Sequence, residues 1–273
     1  MNDQLLMSSA AAARFLKVGE STIKRWADEG GLLCVRTSGG HRRFSREVLE
    51  EFRRFQKVQV SAETQQLDVT QHLLEMLLTL GTPLALEARL LSERARLGSW
   101  WRVADGLSDV VHTLHSRRAS GALSLLDEHL ASERMTRALL HLGSAMPVSE
   151  DAPRALFCCA EGDEQTLPLS LAELSLKELG WHTLWPGRRT PMSAVAAASA
   201  SHGLSLIVLS ASERARDVES LLAQSVLVGR ACRLHGVALL LIGSGPWPEQ
   251  PAFGHTVRDH RMLRHAVTQI PAV

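Results

Sequence analysis

The chain has 273 residues, 45% of them hydrophobic, which is enough for a buried core and predicts about two domains. No stretch approaches the roughly 18 apolar residues of a membrane span, and the first residues lack the features of a secretion signal, so we expect a cytoplasmic protein. Residues 1–57 carry eleven Lys/Arg against seven Asp/Glu, a net of +4, although the whole chain has a net charge of only +1. A small basic region on a mildly acidic remainder is typical of a protein that touches nucleic acid with one end.

The first 57 residues predict a helix-turn-helix. Residues 8–17 form the first helix, capped by Ser8 or Ser9, Gly19 marks a turn, and a second helix starts at Ser21 and Thr22. In such a motif the second helix enters the major groove. We therefore expect this helix to face DNA with Ser21, Thr22, Lys24 and Arg25, and to turn Trp26 inward.

A cationic hairpin follows. Residues 32–36 predict a strand, Ser38-Gly39-Gly40 a tight tip, and Phe44 a return to the core, after which Ser45 caps a further helix. A hairpin of this kind beside a helix-turn-helix is a wing, whose arginines neutralise phosphates or enter the minor groove. The predicted DNA contacts of the wing are Arg36, His41, Arg42 and Arg43.

The segments "TIKRWADEGGLL" and "RTSGGHRRFS" resemble the winged-helix head of MerR-type transcription regulators and the related excisionases. The resemblance covers about 50 residues and implies double-stranded operator DNA as a partner. It also implies a homodimer that binds two half-sites.

The middle of the chain predicts helices. Residues 58–72 are polar and weakly patterned, and we interpret them as a linker with partial helical character. Residues 73–148 show four helical patterns separated by Gly, Ser and Pro, which favours a four-helix bundle. His112 and His115 lie three apart on one of these helices, but we expect an exposed or hydrogen-bonded pair, and we predict no metal site and no catalytic residue.

Residues 149–273 alternate strands and helices. The strands are "RALFCC", "WHTL", "LSLIVLS" and "VALLLI", and the alternation predicts a parallel, doubly wound, Rossmann-like sheet with helices on both faces. Ligands of such sheets bind beyond the carboxyl ends of the strands. That edge comprises residues 161–165, 187–190, 210–212 and 243–245. The loops carry no nucleotide fingerprint and no nucleophile elbow.

A four-helix bundle followed by this α/β domain resembles the cobalamin-binding unit of methionine synthases. With the head in front, the chain resembles light-responsive repressors of the CarH/LitR type. "SLLDEHLASERMTRALL" matches the Glu-His segment of the bundle at Glu128 and His129. "ELGWHTLWPGRRTP" matches the second strand and its loop. The implied cofactor pocket also includes Ser210, Gly243 and Gly245.

Three positions depart from that resemblance. Cobalamin binders carry Asp-x-His-x-x-Gly in the first loop of the sheet, where the chain has Asp163, Gln165 and Pro168. The amide of glutamine is a poor cobalt ligand compared with imidazole, and proline adds bulk and removes an N–H group. The family also places a tryptophan over the cofactor, where the chain has Arg118.

We therefore expect a DNA-binding repressor of light- or stress-responsive genes, with no obligate cofactor and no chemistry of its own. Its input would come from a partner protein, an antirepressor such as a photoreceptor, and no membrane is involved. The alternative is a ligand-gated repressor that binds cobalamin or another tetrapyrrole in altered geometry. A third reading, an enzyme or corrinoid shuttle, is disfavoured by the DNA-binding head and the missing histidine.

Overall fold

The computed structural model describes residues 6–28, 32–37, 39–79 and 82–270, with the side chains of residues 54–68 outside the description. The chain divides into two units, Met1–Val69 and Thr70–Val273. No helix in the described part of the chain combines the length and the apolar character needed to cross a bilayer.

The first unit is a winged helix-turn-helix. Its elements are β1 (Met7–Ser8), α1 (Ser9–Leu16), α2 (Glu20–Asp28), β2 (Val35–Arg36), β3 (Arg42–Phe44) and the start of α3 (Arg46–Leu78). The hydroxyl of Ser8 accepts from the Ala11 amide at 3.2 Å, which confirms the predicted cap of α1. Ser45 caps α3 in the same way through the Val48 amide. The predicted second helix begins one residue early, at Glu20.

The wing is a three-stranded antiparallel sheet in the order β1-β3-β2. The sequence did not predict β1, which is two residues long and exists because Met7 and Ser8 pair with Phe44 and Arg43. The core beneath the sheet contains Ile23, Leu32, Phe44 and Leu49. Of the predicted hairpin tip, Ser38 lies outside the described residues.

Helix α3 runs for 33 residues and includes the predicted linker, residues 58–72. Its sequence contains no glycine and no proline, so nothing local ends the helix. The division between the two units falls inside it, after Val69. The domain boundaries that the sequence suggested remain a prediction.

The second unit begins with helices and ends with a sheet. The end of α3 is followed by α4 (Pro83–Leu97), α5 (Trp100–Ala119) and α6 (Leu125–Ser144), which confirms the predicted helical region. The remaining elements are β4 (Arg154–Cys159), α7 (Leu167–Glu178), β5 (His182–Leu184), α8 (Met192–Ala198), β6 (Leu204–Ser210), α9 (Val218–His235), β7 (Ala238–Ile242), β8 (His255–Thr256) and α10 (His260–Thr268).

The sheet is parallel throughout, with the strand order β5-β4-β6-β7-β8. One core contains Leu169 of α7 and Leu263 of α10. The other contains Val195 of α8 and Val228 of α9. Helices thus cover both faces, and the predicted doubly wound fold is confirmed.

Two features at the sheet were not predicted. The short strand β8 and helix α10 add a fifth strand and its covering helix. Helix α9 does not begin directly after β6 but at Val218, because the carboxylate of Asp217 accepts from the Ser220 amide at 2.9 Å and caps α9 there. Residues 211–217 therefore form a loop at the carboxyl edge of the sheet.

Candidate functional site

The second helix of the head presents polar side chains to solvent. Ser21, Lys24 and Arg25 are exposed and Thr22 is half-buried. Lys24 forms an ion pair of 2.9 Å with Glu20, one turn earlier. On the opposite side of α2, Ile23 is fully buried and Trp26 packs against Phe52 with 5.1 Å between ring centroids. The predicted inward position of Trp26 is confirmed.

The wing is tied to the end of α2 by one carboxylate. Arg36 and Arg42 lie opposite each other on paired strands. The guanidinium group of Arg42 lies 2.5 Å from Asp28, and that of Arg36 lies 3.4 Å away. Because Asp28 is the last residue of α2, this pairing orients the hairpin against the helix. Sequence reasoning missed Asp28, whose partners become neighbours only when the hairpin forms.

The other two predicted wing residues remain outside this ion-pair group. His41 is exposed, and its backbone closes the turn with Thr37: its carbonyl oxygen accepts from the Thr37 amide at 2.9 Å. Arg43 is half-buried, faces Val35 and Ser8 in the strand register, and forms no ion pair with any residue that the structure describes. Arg43 is thus the wing arginine whose charge is available to an outside partner.

At the carboxyl edge of the sheet, the chain itself holds the loop that follows β4. Asp163 is 3% exposed. One of its carboxylate oxygens accepts from the Gln165 amide at 2.9 Å, and the other accepts a short hydrogen bond from the Ser212 amide of the loop after β6. Gln165 is held further by the Cys159 thiol, which lies 3.4 Å from its carbonyl oxygen. Both oxygens of the matched aspartate are therefore used internally.

The neighbouring acids of this loop are also paired within the chain. The carboxylate of Glu161 accepts from the Met192 amide at 2.6 Å, at the first residue of α8. The Glu161 amide donates to the side chain of Gln224 on α9 at 2.8 Å. Glu164 pairs with Arg189 at 2.6 Å. These contacts attach the loop to three other segments of the domain.

The ends of β6 and β7 pack directly against each other. Gly243 has φ of +93°, and a Cβ atom there would lie 2.3 Å from the carbonyl oxygen of Ala211. That same oxygen accepts from the Gly245 amide at 2.8 Å. Trp247 is buried in the adjoining core, and its indole N–H donates to the carbonyl oxygen of Ile242 at 2.8 Å. Gly243 and Gly245 thus let the segments after β6 and β7 pack against each other, and the hydroxyl of Ser210 beside them is buried without a hydrogen-bond partner among the described residues.

Glu128 lies at the centre of a cationic cluster between the helices and the sheet. Its side chain is 3% exposed. His115 lies 3.3 Å away, Arg214 of the loop after β6 lies 3.4 Å away, and Arg118 lies 4.0 Å away. Arg118 thus approaches the carboxylate of Glu128 and helps to compensate its buried negative charge. Arg214 was missed by sequence reasoning, although it follows β6 at the predicted edge.

An open cleft lies between α6 and the sheet. It consists of two recesses of about 390 and 340 Å³ whose linings share Glu133, Thr136, Thr166 and Arg188; we call it the α6 cleft. His129 and Gln165 both line the smaller recess. Phe157 and Trp185, stacked at 5.7 Å, line the larger recess. Pro168 lies in the first turn of α7 and lines neither recess.

The thiols of the sheet domain are inert. Cys158, Cys159 and Cys232 are free and buried, and burial raises the pKa of each to about 12. Thiols with such pKa values stay protonated and are poor nucleophiles and metal ligands. Among the residues that the structure describes, no group of three or more His, Cys, Asp or Glu could hold a metal ion.

Comparisons with known proteins find one match for the head and another for most of the chain. A family model described as a helix-turn-helix domain matches residues 6–57. The structure is similar to that of a monomethylamine corrinoid protein from Methanosarcina barkeri, with a TM-score of 0.56 and 16% identity over 75% of this chain and 99% of that chain. No curated protein matches the sequence.

Two further structures share 14% identity with the chain. One is a cobalamin-binding protein from Desulfitobacterium hafniense, with a TM-score of 0.38 over 76% of this chain and 98% of that chain. The other is the methanol:cobalamin methyltransferase complex MtaBC from Methanosarcina barkeri, with a TM-score of 0.37 over 74% of this chain and 80% of that chain. These two scores are too low to carry an argument.

The chain thus combines a helix-turn-helix DNA-binding domain with a domain that has the fold of corrinoid proteins. The first of these points to a transcriptional regulator.

Proposed function

We propose that the protein is a dimeric transcriptional repressor of the MerR type whose corrinoid-type domain works without an obligate cofactor and is controlled by a partner protein. It acts on no substrate. The head binds operator half-sites through α2 and the wing, and the state of the second unit decides whether two heads reach two half-sites.

The observation that carries the proposal is the internal satisfaction of the loop after β4. A loop that holds a ligand keeps polar groups available for it. Here both carboxylate oxygens of Asp163 accept from amides of the chain, and Glu161 accepts from the first amide of α8. The carboxylates of Asp163 and Glu161 thus bind amides of their own domain.

The residues around the loop also do not fit a cobalt-centred cofactor. The side chain that the loop itself contributes is the amide of Gln165, a weak cobalt ligand that stands where the resemblance implies an imidazole, and the imidazole in the same recess belongs to His129 of α6. Gln165 lines the smaller recess, of about 340 Å³, of the open α6 cleft, whose other recess measures about 390 Å³. Arg118 and Arg214 place cations beside Glu128, where the resemblance implies an apolar cover.

A domain of this kind receives its input through its surface. A partner protein, such as a photoreceptor that acts as an antirepressor, would bind one conformation of the second unit better than the other and shift their populations. The resemblance to light-responsive repressors suggests pigment or stress-defence genes as targets. Stoichiometric co-purification of a partner that depends on illumination would support this step, and equal recovery of no partner in light and dark would contradict it.

The test of the proposal is an absorbance spectrum and a solution mass of the purified protein, with and without adenosylcobalamin, in darkness and in light. We expect no absorbance band above the protein's own and a mass that neither cofactor nor light changes. A variant with Gln165→His and Arg118→Trp provides a matched control, because it restores the two side chains that the resemblance implies. Cobalamin binding by the unmodified chain would contradict the proposal.

The second candidate function is a ligand-gated repressor that binds cobalamin or another tetrapyrrole in altered geometry. The observation that favours it is the α6 cleft, whose larger recess has an aromatic lining and the exposed cation Arg188 at its border. A chromophore that co-purifies with the chain and is lost in an Arg188→Glu variant would favour this candidate over the first.

A further inference from the structure

A groove runs along helix α10 at the edge of the sheet. Strand β8 pairs with only two of the five residues of β7, Leu240 and Leu241. The start of β7 is therefore not covered by β8, and a cavity of about 1110 Å³ opens there between β7 and α10. We call it the α10 groove, and its lining includes Ala238, Leu240, His255, Met262, Ala266 and Ile270.

The walls of the α10 groove are apolar. Met262, Ala266 and Ile270 follow one another at a spacing of four residues, so they lie along one side of α10. Ala238 and Leu240 are two residues apart and share one face of the sheet. Ala238, Ala266 and Ile270 are only partly buried against the core, and Met262 is 44% exposed. The groove thus offers apolar surface to a ligand, as sites for small molecules do.

The border of the α10 groove is cationic. The cations and imidazoles that line it, all of them exposed, are Arg261, Arg264 and His265 of α10 and His255 of β8. The one acid in its described lining is Asp259, whose carboxylate caps α10 by accepting from a first-turn amide at 2.6 Å. The charge of the border is therefore complementary to an anion.

The two arginines of this border differ in their surroundings. Arg261 interacts electrostatically with Asp105 of α5. Arg264 forms no ion pair with any residue that the structure describes. We therefore assign the charged group of a ligand to Arg264, with His265 beside it in the sequence as a second donor.

We propose that the α10 groove binds a small amphipathic anion, a molecule with an apolar chain or ring and one carboxylate. The apolar part lies against Leu240, Met262 and Ala266, and the carboxylate lies at Arg264. The guanidinium group of arginine binds a carboxylate through two parallel N–H groups. A cavity of about 1110 Å³ is large enough for such a molecule.

The inference goes beyond the proposed function, because the site is a different one. The described lining of the α10 groove has no residue in common with that of the α6 cleft. A ligand that dissociates is compatible with a domain that needs no obligate cofactor. Its binding would stabilise the folded second unit without occupying the loop after β4.

Isothermal titration calorimetry of the full chain tests the chemistry of the ligand. The probes are decanoate and decan-1-ol, which have chains of equal length and differ in charge. We expect one saturable site for decanoate and an affinity for decan-1-ol that is lower by about tenfold or more, because the alcohol makes no charged hydrogen bond. Absence of saturable decanoate binding, or equal affinities for the two probes, would overturn the proposal.

Substitutions in the groove test its location. Arg264→Glu and Met262→Glu should each lower the affinity for decanoate by about tenfold or more, because each places a carboxylate beside the ligand. The matched control is Arg230→Glu on α9, an exposed arginine on the helix that covers the other face of the sheet; it should leave the affinity within twofold. Circular dichroism checks that each variant is folded. Groove variants that bind decanoate as the wild type does would overturn the proposal.

Methyl NMR of the wild-type chain locates the ligand directly. With labelled methionine methyl groups, decanoate should shift the signal of Met262, which is assigned through Met262→Leu. The signals of Met135 and Met192 should stay in place, because both side chains are buried in other parts of the domain. A shift of Met192 with none of Met262 would overturn the site. Operator binding is measured separately by gel shift, and its absence would contradict the proposed function while leaving the groove site standing.

Discussion

The head and the sheet domain differ in how their charged side chains are paired. In the head, Ser21, Lys24 and Arg25 are exposed along α2, and Arg43 forms no ion pair with the residues that the structure describes. At the carboxyl edge of the sheet, Asp163 and Glu128 are buried and surrounded by groups of the same domain. Buried charges must be satisfied from within the domain, whereas exposed charges remain solvated and accessible to an outside partner. The head thus has the exposed charges of a binding surface, whereas the carboxylates at the edge of the sheet are bound by groups of their own domain.

The largest effect that tests this contrast is expected at Asp163. Asp163→Ala removes the acceptor of two amides in a buried site, and charged hydrogen bonds of this kind contribute about 1.5 to 3 kcal/mol each. We expect the free energy of unfolding in urea to fall by about 3 to 5 kcal/mol. Glu164→Ala is the control, because its ion pair with Arg189 is exposed and contributes at most about 1 kcal/mol. If both variants lowered the free energy of unfolding equally, Asp163 would contribute no more to stability than an exposed ion pair.

A second effect concerns His260, where α10 meets α5. Burial lowers the pKa of His260 from 6.5 to about 4. Its folded-state pKa is depressed, so the unfolded chain binds the proton first, and stability is full above pH 6.5 and is lost as the pH falls towards 4. The loss should reach about 3 kcal/mol. Burial also raises the pKa of Asp105, which accepts from the His260 amide, and this opposes the loss at the acidic end of the window.

The pH effect is measured by urea unfolding of the wild type and of His260→Gln at pH 7 and at pH 5. Since glutamine does not titrate, the variant should lose less stability than the wild type between these two values. A variant whose pH dependence matches that of the wild type would show that another group is responsible.

In the head, Arg25→Ala should weaken operator binding by about 1 to 3 kcal/mol and relax specificity at one base pair, if Arg25 reads a base edge. The measurement is a gel-shift series on operator variants with single changes. The control Arg261→Ala removes an exposed arginine of α10 and should leave both affinity and specificity as they were.

The smallest effect is expected in the wing, and it separates two neighbouring arginines. Arg43→Ala should reduce affinity on all sequences and lower the slope of log K against log salt by about one, as the loss of a phosphate contact does. Arg42→Ala should also reduce the stability of the head, because Arg42 is 20% exposed and pairs with Asp28. An unchanged salt slope for Arg43→Ala would refute the assignment of the wing.

Much of the fold could be predicted because its signals are local. The seven residues of β6 are all apolar or small and all buried, and the pattern alone predicts a central strand. Glycine, proline and capping serines mark most helix ends. The strands β1 and β8 could not be predicted, since each has two residues and is defined by its partner, β3 or β7.

The candidate site shows the same limit. The sequence placed Asp163, Gln165 and Glu128 in one region through the order of strands and the resemblance to cobalamin binders. It did not show that Ser212 donates to Asp163 or that Arg214 approaches Glu128, because these residues are distant in the chain.

By itself the sequence determined the basic head, the helix-turn-helix, the alternation of strands and helices, and the loss of the histidine and tryptophan that the resemblance implies. These follow from residue identity and short-range periodicity. Only the tertiary structure decided which charges are paired inside the protein and which remain exposed: the pairing of Asp28 with the wing and the closure of the loop after β4. Burial and long-range hydrogen bonding depend on which segments meet in space, and no local pattern contains that information.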